Sequence, residues 1–92
     1  MTQTVFIHTL LASLSYTVVE SDGFTKISVF NPSASSANVV ITGTGKSIGS
    51  GGVGTGISLA PGASWTWLSG AYTIDGVTIT TDAGTTALIT AS

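Results

Sequence analysis

In one short run after another, the apolar residues of this 92-residue chain fall on every second position. Ile27 and Val29, Val39 and Ile41, Ala63, Trp65 and Trp67, Val77 and Ile79, and Ala87, Ile89 and Ala91 all share this spacing. Lys26, Ser28, Ser64, Thr66, Thr78 and Thr90 are set between or beside them. Successive side chains of a strand point to opposite faces, so a period of two means a strand with one buried face. The runs are separated by Ser21-Asp22-Gly23, Asn31-Pro32-Ser33, Pro61-Gly62, Asp75-Gly76 and Asp82-Ala83-Gly84. These residue types accept left-handed or preset backbone angles and so place turns there. The expected fold is all-β, a compact sandwich or barrel of about six to eight short strands forming one domain over residues 1–92.

Only Ile7, Leu10, Leu11 and Leu14 have helical spacing, and an internal repeat argues against a helix there. At an offset of 48, Leu11-Ala12-Ser13 falls on Leu59-Ala60-Pro61, and at 49 Ser15-Tyr16-Thr17-Val18 falls on Ser64-Trp65-Thr66-Trp67. At an offset of 50, Ile27-Ser28-Val29 falls on Val77-Thr78-Ile79, and Ser36-Ala37-Asn38-Val39 on Thr86-Ala87-Leu88-Ile89. The halves, 5–42 and 57–91, then hold the same unit. The stretch from Val5 to Leu11 corresponds to Ile57 to Leu59 and is expected to be a strand. It lacks the positive region of a signal peptide and is too short and too broken by His8, Thr9 and Ser13 to span a bilayer as a helix, so it reads as folded chain.

Between the halves, seven of the fourteen residues from Gly43 to Gly56 are glycine, around a Gly45-Lys46-Ser47 triplet. A phosphate-binding loop needs a further glycine five residues before Gly45, where Val40 stands, and a helix after it to aim backbone amides at the phosphates. Gly49, Gly51 and Gly54 match a dinucleotide spacing, but in a stretch this rich in glycine the match carries no specificity. The next residues, Ile57-Ser58-Leu59-Ala60-Pro61-Gly62, read as a strand and a turn. The glycine stretch is therefore a connector, with paired structure stopping near Gly43 and resuming near Ile57. A long loop in a small domain often has a role. Lys46, Ser47, Ile48 and Val53, with Tyr72 in the Gly70-Ala71-Tyr72 loop, are the candidate contacts to a partner, against simple loop mobility.

Few side chains could carry chemistry. His8 is the only histidine and there is no cysteine, so multi-histidine and thiolate metal sites are excluded, as are disulfides. Of Glu20, Asp22, Asp75 and Asp82, three stand beside glycine or in turns, where Asp caps local backbone. No serine is framed as a nucleophile, so no catalytic, cofactor-binding or metal-binding residue is assigned and no enzymatic activity is expected. Lys26 and Lys46 are the only cations, too few to displace counterions from nucleic acid. Charged residues make up 7% of the chain against about 25% ordinarily, and mean hydropathy is +0.54. Such a surface is covered in Ser, Thr and Gly or hidden against neighbours. Trp65, Trp67 and Tyr72 could stack on sugars; Trp65 and Trp67 also share a strand face with Ala63, which suits a core.

The run Ser58-Leu59-Ala60-Pro61-Gly62-Ala63-Ser64-Trp65-Thr66-Trp67, together with Ile74-Asp75-Gly76-Val77-Thr78-Ile79 and Gly84-Thr85-Thr86-Ala87-Leu88-Ile89 after it, resembles small β-rich structural proteins of tailed bacteriophages. The first half, through Ser15-Tyr16-Thr17-Val18-Val19 and Phe24-Thr25-Lys26-Ile27-Ser28-Val29, is similar in style. The resemblance is one of pattern and assigns no functional residue. It implies a virion component, a capsid decoration or other head-associated protein assembled in the host cytoplasm. Its partners would be a major capsid or other virion protein and further copies of itself, a trimer being favoured, with the first or last strand in the contact. The alternative is a carbohydrate-binding or adhesion module that uses aromatic residues.

Overall fold

A computed structural model of the chain describes residues 6–43, 56–68 and 73–92. The strands are β1 (Phe6–Leu10), β2 (Ser15–Val18), β3 (Lys26–Phe30), β4 (Val39–Gly43), β5 (Ile57–Leu59), β6 (Ser64–Leu68), β7 (Val77–Thr80) and β8 (Ala87–Ala91). The only helical turn among the described residues is a short 3-10 segment at Glu20–Asp22. Each alternating run is a strand, and Ile7, Leu11 and Leu14 are exposed, so the helical spacing near the N-terminus buries no helix face. The described strands flanking the glycine-rich stretch end at Gly43 and begin at Ile57, and the connector expected between them lies outside the described residues.

The strands form two four-stranded antiparallel sheets, with orders β1-β8-β3-β6 and β2-β7-β4-β5. Two separate sheets make this a sandwich and not a closed barrel. The chain passes from one sheet to the other at every connection except β4 to β5, which is the connectivity of the jelly roll. Val18, Ile27, Val29, Val39, Ile41, Ile74, Val77, Ile79, Ala87 and Ile89 are fully enclosed between the sheets, with Leu10, Leu59 and Trp67 completing the core.

The two sheets are equivalent in pairing. Replacing each strand of the first sheet by the one four places along (β1 by β5, β3 by β7, with β8 and β6 returning to β4 and β2) gives β5-β4-β7-β2. This is the second sheet read from its other edge. The register obeys the same equivalence. Ile27 and Val29 face Trp67 and Trp65 across β3 and β6, as Val77 and Ile79 face Val18 and Tyr16 across β7 and β2. For these strands the equivalences are the sequence offsets of 49 and 50. For β1 and β5 they are not. The register equates Leu59 with Leu10, one residue before Leu11, and it equates β4 with β8 at an offset of 48 instead of 50. Leu10 is 3% exposed and Leu11 60%. A slip of one residue moves every side chain to the other face, so only Leu10 can take the inward place of Leu59.

Equivalent corners close the sandwich at the end where β1 meets β2 and β5 meets β6. Asn31 and Thr81, each just past its strand, have buried side chains. The Asn31 amide N–H donates to Ala63 O at 3.0 Å and that of Thr81 to Leu14 O at 2.9 Å. Asn31 Nδ2 donates to Leu59 O at 2.8 Å and to Ala37 O at 3.1 Å. Thr81 Oγ1 lies 2.6 Å from Leu11 O and accepts from the Leu14 amide at 3.1 Å. The turns differ in one respect. Gly62, at φ +87°, matches Ser13, at φ +59°, the only described residue other than glycine with a positive φ.

Candidate interaction surface

The outward side chains of the first sheet lie in rows across its strands. Ile7, Thr90, Ser28 and Thr66 form one row, and Thr9, Leu88, Phe30 and Ser64 the next, with Lys26 opposite Leu68 at one end. On the second sheet the rows are Thr17, Thr78 and Thr42, then Ser15, Thr80, Val40 and Ser58. The hydroxyls correspond between the sheets, including a hydrogen bond. Ser28 Oγ lies 3.0 Å from Thr66 Oγ1, and the equivalent Thr78 Oγ1 lies 2.9 Å from Thr17 Oγ1. What differs is apolar. Phe30 stands where the second sheet has Thr80, Ile7 where it has Gly56, and Leu88 where it has Val40. The single charge on the outward rows of either sheet is Lys26.

Aromatic side chains lie along the open sides of the sandwich. Where β1 and β2 form the edges, the Phe6 ring is 5.8 Å from that of His8, 5.6 Å from Tyr16 and 5.5 Å from Phe24, and His8 is 5.1 Å from Tyr16. These rings are half-buried, so the lone histidine is a packed residue among aromatic neighbours. Burial raises the Tyr16 phenol above its ordinary value of 10.0, and the nearby Asp22 carboxylate adds to the effect. On the other open side, Trp65 is half-buried against the core and Trp67 is buried, their rings 6.4 Å apart. Both are inward-facing strand residues, and the sugar platform considered from sequence has no Trp67 face to offer.

Two of the carboxylates hold backbone. Asp22 Oδ2 accepts from the Val19 amide at 3.0 Å, and Asp75 Oδ1 from the Glu20 amide at 3.1 Å. Among the described residues no group of three or more His, Asp or Glu is placed to hold a metal ion. Among the described residues, shallow depressions mark the surface. One of about 200 Å³ is lined by Lys26, Ser28, Thr90, Ala91 and Ser92, and one of about 500 Å³ by Ser13, Leu14, Ser15, Thr80, Thr81 and Asp82. Neither pairs a nucleophile with a histidine. No helix of the described residues is long and apolar enough to cross a membrane.

Lys46, Ser47, Ile48, Val53 and Tyr72, the contacts anticipated from sequence, lie outside the described residues. The outward apolar residues of the first sheet were missed because alternation marks which residues share a face without saying which face is covered. Phe30 directly succeeds Val29 and directly precedes a turn, so its exposure is set by the register of β3 alone. No protein-family model, curated protein or solved structure matches the chain.

Proposed function

We propose that this chain is a non-enzymatic structural component of a bacteriophage particle, a capsid decoration or other head-associated protein. It acts by contact with a major capsid or other virion protein and with copies of itself. The observation that supports this reading is the near absence of charge from both outward sheet faces, where Lys26 stands alone among hydroxyl and apolar side chains. A freely diffusing protein ordinarily keeps its sheet faces and edges apart with charge. A protein that spends its life assembled needs no such protection. The jelly roll is compatible with this role, being used in capsids, but it also serves lectins and cupins and so does not define function.

A pelleting assay tests the proposal. The purified chain, mixed with phage particles that lack it, is expected to sediment with them and to saturate at a fixed ratio to the major capsid protein. A chain that stays in the supernatant with every particle fraction, heads and tails alike, contradicts it. The carbohydrate alternative is tested in parallel by tryptophan fluorescence. With Trp65 and Trp67 facing inward, glycans are expected to leave the emission unchanged, and a saturable shift would favour that alternative.

A further inference from the structure

We infer that the two halves of this chain, β1 to β4 and β5 to β8, pair between copies as well as within one, so that a second copy completes each half in an exchanged dimer. The inference stands apart from the structural role proposed above. The strand pairing carries it. Six ladders join the described strands: β1 with β8, β8 with β3, β3 with β6, β2 with β7, β7 with β4, and β4 with β5. Each joins a strand of the first half to a strand of the second, and no two strands of one half are neighbours in either sheet. The corners obey the same rule, since Asn31 donates to Ala63 O and Leu59 O, and the Thr81 amide to Leu14 O. Neither half satisfies its own strand backbone, and what completes it is the other half. A half taken from a second copy offers the same ladders and the same core.

The covalent link between the halves permits the exchange. β4 and β5 are antiparallel neighbours with Ile41 opposite Ile57, a pairing that a hairpin loop of about two to five residues would close. The chain instead places fifteen residues, 42–56, between that pair. At full extension they reach about 50 Å, more than the 36 Å longest dimension of the domain, so the second half can be seated in a neighbouring sandwich while the first stays in its own. Closed and exchanged forms contain identical ladders, and concentration decides between them. A tether of this length holds its ends at an effective concentration on the order of 1 mM, and exchange competes with closure near that value. Because all six ladders must open before a half is released, exchange passes through the unfolded chain, and a dimer once formed persists on dilution. That path separates it from a contact between folded surfaces, which forms on mixing native chains. Two chains that exchange one half each leave no half unpaired, which gives a closed dimer in place of the trimer that the resemblance to phage proteins implies.

Refolding of the full chain from denaturant at low and high concentration, followed by size-exclusion chromatography after dilution, tests this. The dimer is expected to rise from a few per cent of chains refolded at about 10 µM to about half of those refolded at about 2 mM. Native monomer brought to the higher concentration without unfolding should stay monomeric. Exchange itself is read by disulfides, because the chain has no cysteine and Ser28 Oγ lies 3.0 Å from Thr66 Oγ1 across the two halves. Ser28→Cys and Thr66→Cys chains, refolded together at the higher concentration and oxidised with glutathione disulfide, should give a linked dimer in excess over either variant alone. Thr17→Cys with Thr78→Cys asks the same of the second sheet, which keeps the test if a variant of the first pair fails to fold. A wild type that refolds wholly as monomer at the higher concentration, or mixed variants that link no more than single ones, would overturn the inference. So would a dimer that forms equally well from native chains, since that places the contact on folded surfaces.

Discussion

The two sheets of this sandwich share a pairing register and differ in what their equivalent positions hold. Trp67 and Val18 occupy matching inward places, as do Trp65 and Tyr16, while Asn31 and Thr81 close matching corners. Outside, Phe30 answers Thr80. The lesson is that register and polarity are dictated by the architecture, whereas side-chain volume at a given place is not. A difference in volume between equivalent positions therefore points either to a packing compensation inside or to a role outside. Inside, Trp67 sits opposite Ile27 and the smaller Val18 opposite Val77, so the cross-strand partner does not offset the difference and other core neighbours must take it up. Outside, Phe30 has no compensation to explain it.

The core pair offers the largest test. Trp67→Ala is expected to lower stability by about 3 to 5 kcal/mol, as truncation of a large buried ring does, and Val18→Ala by less, since it leaves a smaller cavity. Chemical denaturation measures both. Equal losses would mean that the two places are not packed as the register implies. A Trp67→Ala chain that melts like the wild type would return that tryptophan to the surface and revive the sugar platform.

The corners come next. Asn31→Ala removes the donors to Leu59 O and Ala37 O from a buried site, and a loss of about 1 to 3 kcal/mol is expected. Thr85 Oγ1, like Asn31 Oδ1, is buried without a hydrogen-bond partner, but no side-chain bond offsets it as the two Nδ2 bonds do in Asn31. Thr85→Val keeps the shape and removes the unpaired hydroxyl, so the melting temperature should hold or rise. A drop as large as that of Asn31→Ala would show that this hydroxyl is engaged.

The turns sharpen the comparison further. Ser13→Gly should stabilise by up to about 1 kcal/mol, because a left-handed backbone angle costs any residue with a Cβ roughly that much. Gly62→Ala should destabilise by a similar amount through its backbone alone, since an added Cβ would come no nearer than 3.9 Å to the Ser33 side chain. Thermal melts of the two variants moving in the same direction would break the equivalence of the turns.

The smallest effect is confined to alkaline solution. Tyr16 has its phenol raised above 10.0 in the fold, so the native state holds this proton more tightly than the unfolded chain. That contribution is complete below pH 10 and is lost as pH rises through the folded value. Melting temperatures should fall above pH 10, and Tyr16→Phe should flatten that fall. An unchanged slope in the variant would assign the alkaline sensitivity to other groups.

Much of this architecture is legible in the sequence because strands and turns are local events. Alternation fixed where β3, β6, β7 and β8 lie, and Gly23, Gly62, Gly76 and Gly84 all adopt the positive φ that their turn contexts imply. Which strand joins which sheet was not legible, since β1 pairs with β8 across nearly the whole chain and no local pattern encodes a partner so distant. Asn31 illustrates a second limit. Before Pro32 it reads as an ordinary turn residue, yet its side chain is buried and ties the turn to Leu59. Ser13 is a third, as serine gives no warning of a left-handed angle. The contact residues expected in the glycine-rich stretch and at Tyr72 fall outside the described residues, and the apolar face of the first sheet emerged only once register placed Phe30 beside Leu88.

The proposed structural role requires this chain to be built into a phage particle. Quantitative mass spectrometry of purified phage particles tests it most directly, with the chain's abundance measured against the major capsid protein. The account predicts a fixed ratio that survives density-gradient purification and salt washing, as expected of a contact that relies little on charge. A chain missing from purified particles, or present at a ratio that dwindles with each purification step, would contradict it.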